Sequence, residues 1–174
     1  MSDQPAGTPA NGPAYRFDGP LATIESPEFF RTWMDDEVYF ERLVRSADPL
    51  DAERKRVAVG FQRDLARLAA TGSIADRIDD LLATYLAEDY QQHDDHLADG
   101  RGPLADFFKG AEAKGVDLWP PMPIVAMADG EIVSLLLQGV SERGVRFIPT
   151  MFRVADGVLT EHWSAAAPPP PPQA

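Results

Sequence analysis

Three histidines in this 174-residue chain can exchange a proton near neutral pH, and two of them sit together. His93 and His96 fall in the run Tyr90-Gln91-Gln92-His93-Asp94-Asp95-His96-Leu97-Ala98-Asp99-Gly100, beside three aspartates. An imidazole titrates close to pH 6.5, which suits general acid or base work, and a neighbouring carboxylate can fix which ring nitrogen holds the proton. His93, with Asp94 or Asp95 to set its tautomer, is therefore a candidate for accepting a proton or orienting a substrate carbonyl. His162 lies in the late apolar segment Val158-Leu159-Thr160-Glu161-His162-Trp163-Ser164. Blander readings compete with both: the 90–100 run could be a solvated loop, and His162 could only satisfy a backbone carbonyl inside a sheet.

His93-x-x-His96 with nearby aspartates offers imidazole and carboxylate to a metal. The spacing departs from the helical His-Glu-x-x-His arrangement, so no metal is expected. The chain has no cysteine, which removes thiolate nucleophiles, disulfides and cysteine-bound clusters. Neither a glycine-rich phosphate cradle nor a Ser-His-Asp setting is visible, and no cofactor is expected.

The elements around these residues follow from periodicity. Ser26-Pro27 starts a helix pattern with a broad apolar face from Phe29 to Val44, ended by Asp48-Pro49. Val57, Phe61, Leu65 and Leu68 recur at helical spacing within 51–70, and Thr71-Gly72 ends that helix. Ser73 and Asp76 suggest a capping box for another, striped by Ile74, Ile78, Leu81, Leu82, Tyr85 and Leu86. The polar 90–100 run then reads as a connection between helices, and Pro103 opens a short helix carrying Phe107 and Phe108. Beyond Trp119-Pro120-Pro121 the period becomes that of strands, with two hairpins around Asp129-Gly130 and Asp156-Gly157. Pro149 cannot donate to a ladder and should mark an edge or a bulge. Alternation along the last strand sets Val158, Thr160, His162 and Ser164 on one face and Leu159, Glu161 and Trp163 on the other. Thr150 and Phe152 should share the His162 face, with Trp163 on the outer one, and Arg153 should pair with Glu161 across the Asp-Gly hairpin.

Helices followed by an antiparallel sheet is the α+β pattern, and a curved sheet around helices leaves a concave pocket. Residues 1–25 are rich in proline and glycine and read as a disordered arm, 26–50 as a helical extension, and 167–174 as a proline-rich tail. A formal charge of −12 without a basic cluster argues against nucleic acid, and the same charge disfavours an anionic membrane surface. The first residues do not form an export signal, no stretch is long and apolar enough to span a membrane, and a cytoplasmic location is expected.

Taken in order, Tyr90-x-Gln92-His93, Asp99-Gly100, Phe107-Phe108, Phe152-Arg153-Val154, Asp156-Gly157 and Glu161-His162-Trp163 are a set that resembles the SnoaL-like polyketide cyclase branch of the NTF2-like superfamily, over residues 53–165. The resemblance implies an NTF2-like cone at 51–166, a homodimer formed through the outer sheet face, and a small-molecule substrate. The implied chemistry is cofactor-independent cyclase or isomerase work on a polyketide-like carbonyl compound, by aldol or proton-transfer steps. His93 matches the family's histidine, and with it His162 and Thr150 are the candidate catalytic positions, with Tyr90, Gln92, Phe107, Trp119 and Phe152 as candidate substrate contacts. Two positions depart from the family pattern: the aspartate expected two residues before Phe152-Arg153 is Thr150, and the one after the tryptophan is Ser164. A hydroxyl is no base near neutrality, so the alternative is a non-catalytic ligand-binding or dimerisation module. Whether the Phe29–Val44 segment covers the cone mouth bears on the choice, because a filled pocket excludes substrate.

Overall fold

The computed structural model describes residues 12–94, 97–116, 120–141 and 144–164. Helices come first: α1 (Glu37–Val44), α2 (Pro49–Thr71), α3 (Ile74–Tyr85) and α4 (Arg101–Ala113). Five strands make the main sheet: β3 (Leu86–Gln92), β4 (Met122–Asp129), β5 (Ile132–Ser141), β6 (Gly144–Ala155) and β7 (Val158–Ser164), in the order β3-β7-β6-β5-β4. A separate hairpin, β1 (Tyr15–Asp18) with β2 (Leu21–Ile24), precedes them. This is the α+β layout expected from the sequence, helices packed on one face of a sheet. The core between them holds Val59, Ile74, Ile78, Leu82, Val133, Phe152 and Leu159, each fully buried.

Local chemistry sets the helix ends. The Asp48 carboxylate accepts from the backbone N–H groups of Leu50 and Asp51, Pro49 takes the first position, and Gly72 closes α2 at φ 61°. The β6–β7 turn puts Asp156 and Gly157 both at positive φ, 51° and 78°, as a two-residue hairpin of this twist requires.

Four expectations are corrected. Of the arm assigned to 1–25, residues 1–11 lie outside the described ones, but 15–24 form the β1–β2 hairpin. Its Tyr15 and Phe17 rings pack 4.8 and 5.5 Å from the Tyr39 ring, and that burial holds it in place. The Phe29–Val44 segment is not one helix. Two 3-10 turns, Pro27–Arg31 and Trp33–Asp35, precede α1, because Thr32 leaves helical geometry and Asp36 restarts the chain by capping the Tyr39 N–H at 2.8 Å. The run before His93 is not a bare connection, since Leu86–Gln92 is an edge strand pairing parallel to β7; the sheet is therefore mixed. Last, the Arg153–Val154 step of β6 passes over Thr160, so Leu159 lies opposite Val154 while His162 lies opposite Phe152. That bulge puts Leu159 and His162 on the same, inner face.

Pro149 stands opposite Leu136 within β6. Toward β7, the Thr150–Ser164 pair is the last of the ladder among the described residues, so the neighbour of Pro149 on that side lies outside them. The 26–50 extension is part of the core: Trp33, Tyr39, Leu43 and Val44 are all buried, and the Tyr39 hydroxyl donates to the Pro123 carbonyl oxygen at 2.8 Å. No helix among the described residues is long and apolar enough to cross a membrane. The proline tail lies outside the described residues.

Candidate functional site

β6 presents Thr150, Phe152 and Val154 inward, and all three are buried. β7 sets His162 opposite Phe152, with the two rings stacked at 4.7 Å and 18°. β3 sets Gln92 opposite His162 from the other side. The result is a hydrogen-bonded row across three strands: Gln92 Oε1 is 2.9 Å from His162 Nδ1, and Thr150 Oγ1 is 2.7 Å from His162 Nε2. Neutral imidazole with its proton on Nδ1 satisfies both contacts, donating to Gln92 and accepting from the Thr150 hydroxyl. That hydroxyl also lies 3.2 Å from the Trp163 carbonyl oxygen.

Burial against Phe152 pushes the His162 pKa down to about 4, with Asp94 opposing weakly and His93 adding a little to the fall. His162 is thus an uncharged base at neutral pH, with its two nitrogens differentiated by their neighbours. Tyr90, two residues before Gln92, is buried on the same face, and desolvation raises its phenol pKa.

His93 goes the other way. Its backbone N–H donates to the His162 carbonyl oxygen at 2.9 Å, and the next step of the pleat turns its ring to the outer face. There it stacks on Trp163 at 4.5 Å and 3°, and Nε2 sits 2.9 Å from Glu161 Oε2. Glu161 Oε1 receives Arg153 Nε at 2.5 Å, and Arg153 reaches on to Glu131 at 3.2 Å. The hydrogen bond from His93, then that from Arg153, lowers the Glu161 pKa. The Arg153–Glu161 pair and the outward Trp163 follow the strand pattern, but His93 and His162 occupy opposite faces and share no pocket.

The other expected positions are dispersed. Phe107 is exposed on α4, its ring 5.4 Å from Phe108. Trp119 and His96 lie outside the described residues, and among these no three His, Asp or Glu side chains converge as a metal site would. Two cavities of about 230 and 240 Å³ lie away from His162, one under the β1–β2 turn and one between α2 and the β6–β7 turn. Sequence reasoning missed Glu161 and Trp163 as partners of His93. The alternation that placed them outward was the available signal, once residues 90–93 are seen as extended.

No family model and no curated protein matches the chain. Solved structures similar to it include TsrD from Streptomyces laurentii, at 14% identity and TM-score 0.48, covering 68% of this chain and 90% of that one. A protein assigned as a SnoaL-like polyketide cyclase from Jannaschia sp. CCS1 aligns at 16% identity and TM-score 0.45, over 70% and 91% of the two chains. One assigned as a ketosteroid isomerase from Kribbella flavida DSM 17836 aligns at 20% and 0.38, over 66% and 84%.

Proposed function

We propose that this protein is a cofactor-independent isomerase or cyclase that moves a proton on a small carbonyl compound at the Gln92–His162–Thr150 row. The observation that carries the reading is a neutral, desolvated imidazole held at both nitrogens on the inner sheet face. In the reaction the Thr150 hydroxyl turns from Nε2 to the substrate oxygen. The freed lone pair takes the proton from the carbon beside the carbonyl, leaving an enolate, and His162 returns that proton at a second carbon or after ring closure. Gln92 keeps the ring oriented and accepts from Nδ1–H throughout. A base of pKa about 4 is weak, so the substrate is a carbon acid activated by two carbonyl groups, the polyketide-like class.

The test is substrate-independent in its first stage. Deuterium wash-in at the activated methylene of simple 1,3-dicarbonyl compounds, followed by proton NMR against a buffer blank, should be faster with the protein. His162→Gln should reduce the enzyme-dependent rate by about 10²- to 10⁴-fold. Rates indistinguishable from buffer across the set, or unchanged in His162→Gln, would sink the reading.

A second reading, a non-catalytic binding module, draws on the two occupied imidazole nitrogens and on cavities that lie elsewhere. Ligand retention without exchange would favour it.

Assembly as a homodimer belongs to either reading. What supports it is the outer face of the sheet, where Met127, Val145, Phe147 and Met151 stand exposed, more than a third of each open to solvent. Phe147→Asp with Met151→Asp should shift light-scattering mass from dimer to monomer without loss of far-UV dichroism. A wild-type protein that is monomeric at micromolar concentration would refute the dimer.

A further inference from the structure

The cavity of about 230 Å³ lies where the β1–β2 turn, the end of α1 and the first turns of α2 meet, lined by Gly19, Pro20, Arg42, Arg45, Lys55 and Ala126 among others. Three of these side chains are cations, in a protein whose formal charge is −12. Among the described residues none of the three makes an ion pair. Lys55 is only 6% exposed, and its ammonium donates to the Arg45 carbonyl oxygen. Arg42 lies over the Phe17 ring at 4.9 Å.

The neighbouring acids make their close contacts with other arginines, although the Glu41 carboxylate also feels the charge of Arg45. Glu41 is held at both oxygens by Arg56 at 2.6 Å, and Asp51, one turn before Lys55 and a weak attraction on it, faces Arg54 at 3.9 Å. A buried ammonium with one acceptor is costly, and an anion beside it would offset that cost.

We propose that this cavity binds a small oxyanion, a phosphate or carboxylate group, either free or carried on a small metabolite. Two guanidinium forks and an ammonium around one space match the oxygen geometry of such groups. The space, about 230 Å³, is large enough for a phosphate or carboxylate group carried on a small metabolite. None of the lining residues belongs to the Gln92–His162–Thr150 row, so this site stands or falls separately from the proposed chemistry.

Calorimetric titration of the full chain at low salt, with inorganic phosphate, glycerol 3-phosphate and succinate as probes and chloride as the ionic-strength control, tests it. At least one oxyanion should bind saturably where chloride does not. The double variant Arg42→Gln with Arg45→Gln alters two exposed side chains and should keep the wild-type far-UV dichroism. It should weaken that binding by about ten-fold or more, as the loss of charge-assisted hydrogen bonds implies. Lys55→Met should do the same from the buried side. Preference for the ester, the free phosphate or the dicarboxylate identifies which source of the shared chemistry the site takes. No saturable heat from any of the three, or equal affinity in the double variant, overturns the proposal.

Discussion

Tyr39→Ala should destabilise the protein by about 4–8 kcal/mol, the sum of a lost buried aromatic ring and a carbonyl that loses its hydroxyl donor. The ring is fully buried and sits at the centre of a cluster: Tyr15, Phe17, Phe29 and Trp33 all lie within 6.3 Å of it, centroid to centroid. Its hydroxyl crosses to the main sheet at Pro123, and burial, with Tyr15 and Asp36 nearby, pushes the phenol pKa far up, so it stays a donor at every working pH. Tyr39 thus joins the N-terminal hairpin, the 3-10 turns, α1 and β4. Against a total stability of about 5–15 kcal/mol for a domain, such a loss leaves the variant marginal or unfolded at 37 °C. Tyr39→Phe, which keeps the ring and removes only the hydrogen bond, should lose about 1–3 kcal/mol. Urea unfolding followed by far-UV dichroism measures both. A Tyr39→Ala midpoint near wild type would mean that residues 15–44 are an appendage to the domain.

How much of this could be read from the residues depends on how local the cause is. α2 and α3 carry a 3.6-residue apolar period with the cap Asp48-Pro49 at one end and Gly72 between them, so their signal lies within each segment. The β4–β5 and β6–β7 hairpins announce themselves by Asp-Gly turns for the same reason. β3 is different. Its sequence Leu86-Ala-Glu-Asp-Tyr-Gln-Gln has no alternation to speak of, and its partner lies about seventy residues on, so pairing with β7 is what makes it a strand.

The same remoteness decided the site. Alternation within β6 and β7 sets Thr150, Phe152 and His162 on one face, and that grouping is observed. His93 could be aimed only once residues 90–93 were known to be extended, since a pleat turns successive side chains to opposite faces. Gln92 then points in and His93 points out. The bulge at Thr160 has no mark in its own residues; it is set by the pairing of Leu159 with Val154 and Glu161 with Arg153. The arginine-lined cavity was invisible for a like reason, because Arg42 and Lys55 come from separate helices and Gly19 from a hairpin thought to lack structure.

His162 gives the second large effect, and its sign can be worked out. In the unfolded chain its pKa is near 6.5, and in the folded protein burial brings it to about 4. Between these values the unfolded state binds the extra proton and the folded state does not, so stability rises with pH. The contribution is fully present above pH 6.5 and is lost as pH falls through 4. A gap of that size corresponds to at most about 3 kcal/mol, reduced by whatever solvent reaches the ring. Many carboxylates also titrate in this window, so the wild-type curve alone does not isolate the histidine. His162→Gln removes the titrating group and keeps an amide that can bond to Thr150 and Gln92, while the carboxylates are common to both proteins. Urea midpoints taken from pH 7.5 to 4 should therefore show the wild type losing stability faster than His162→Gln, the difference narrowing steadily below pH 6.5. Parallel curves would mean that the folded pKa of His162 equals the unfolded one, so that the ring is hydrated in the folded protein. That result removes the desolvated imidazole on which the proposed site is argued.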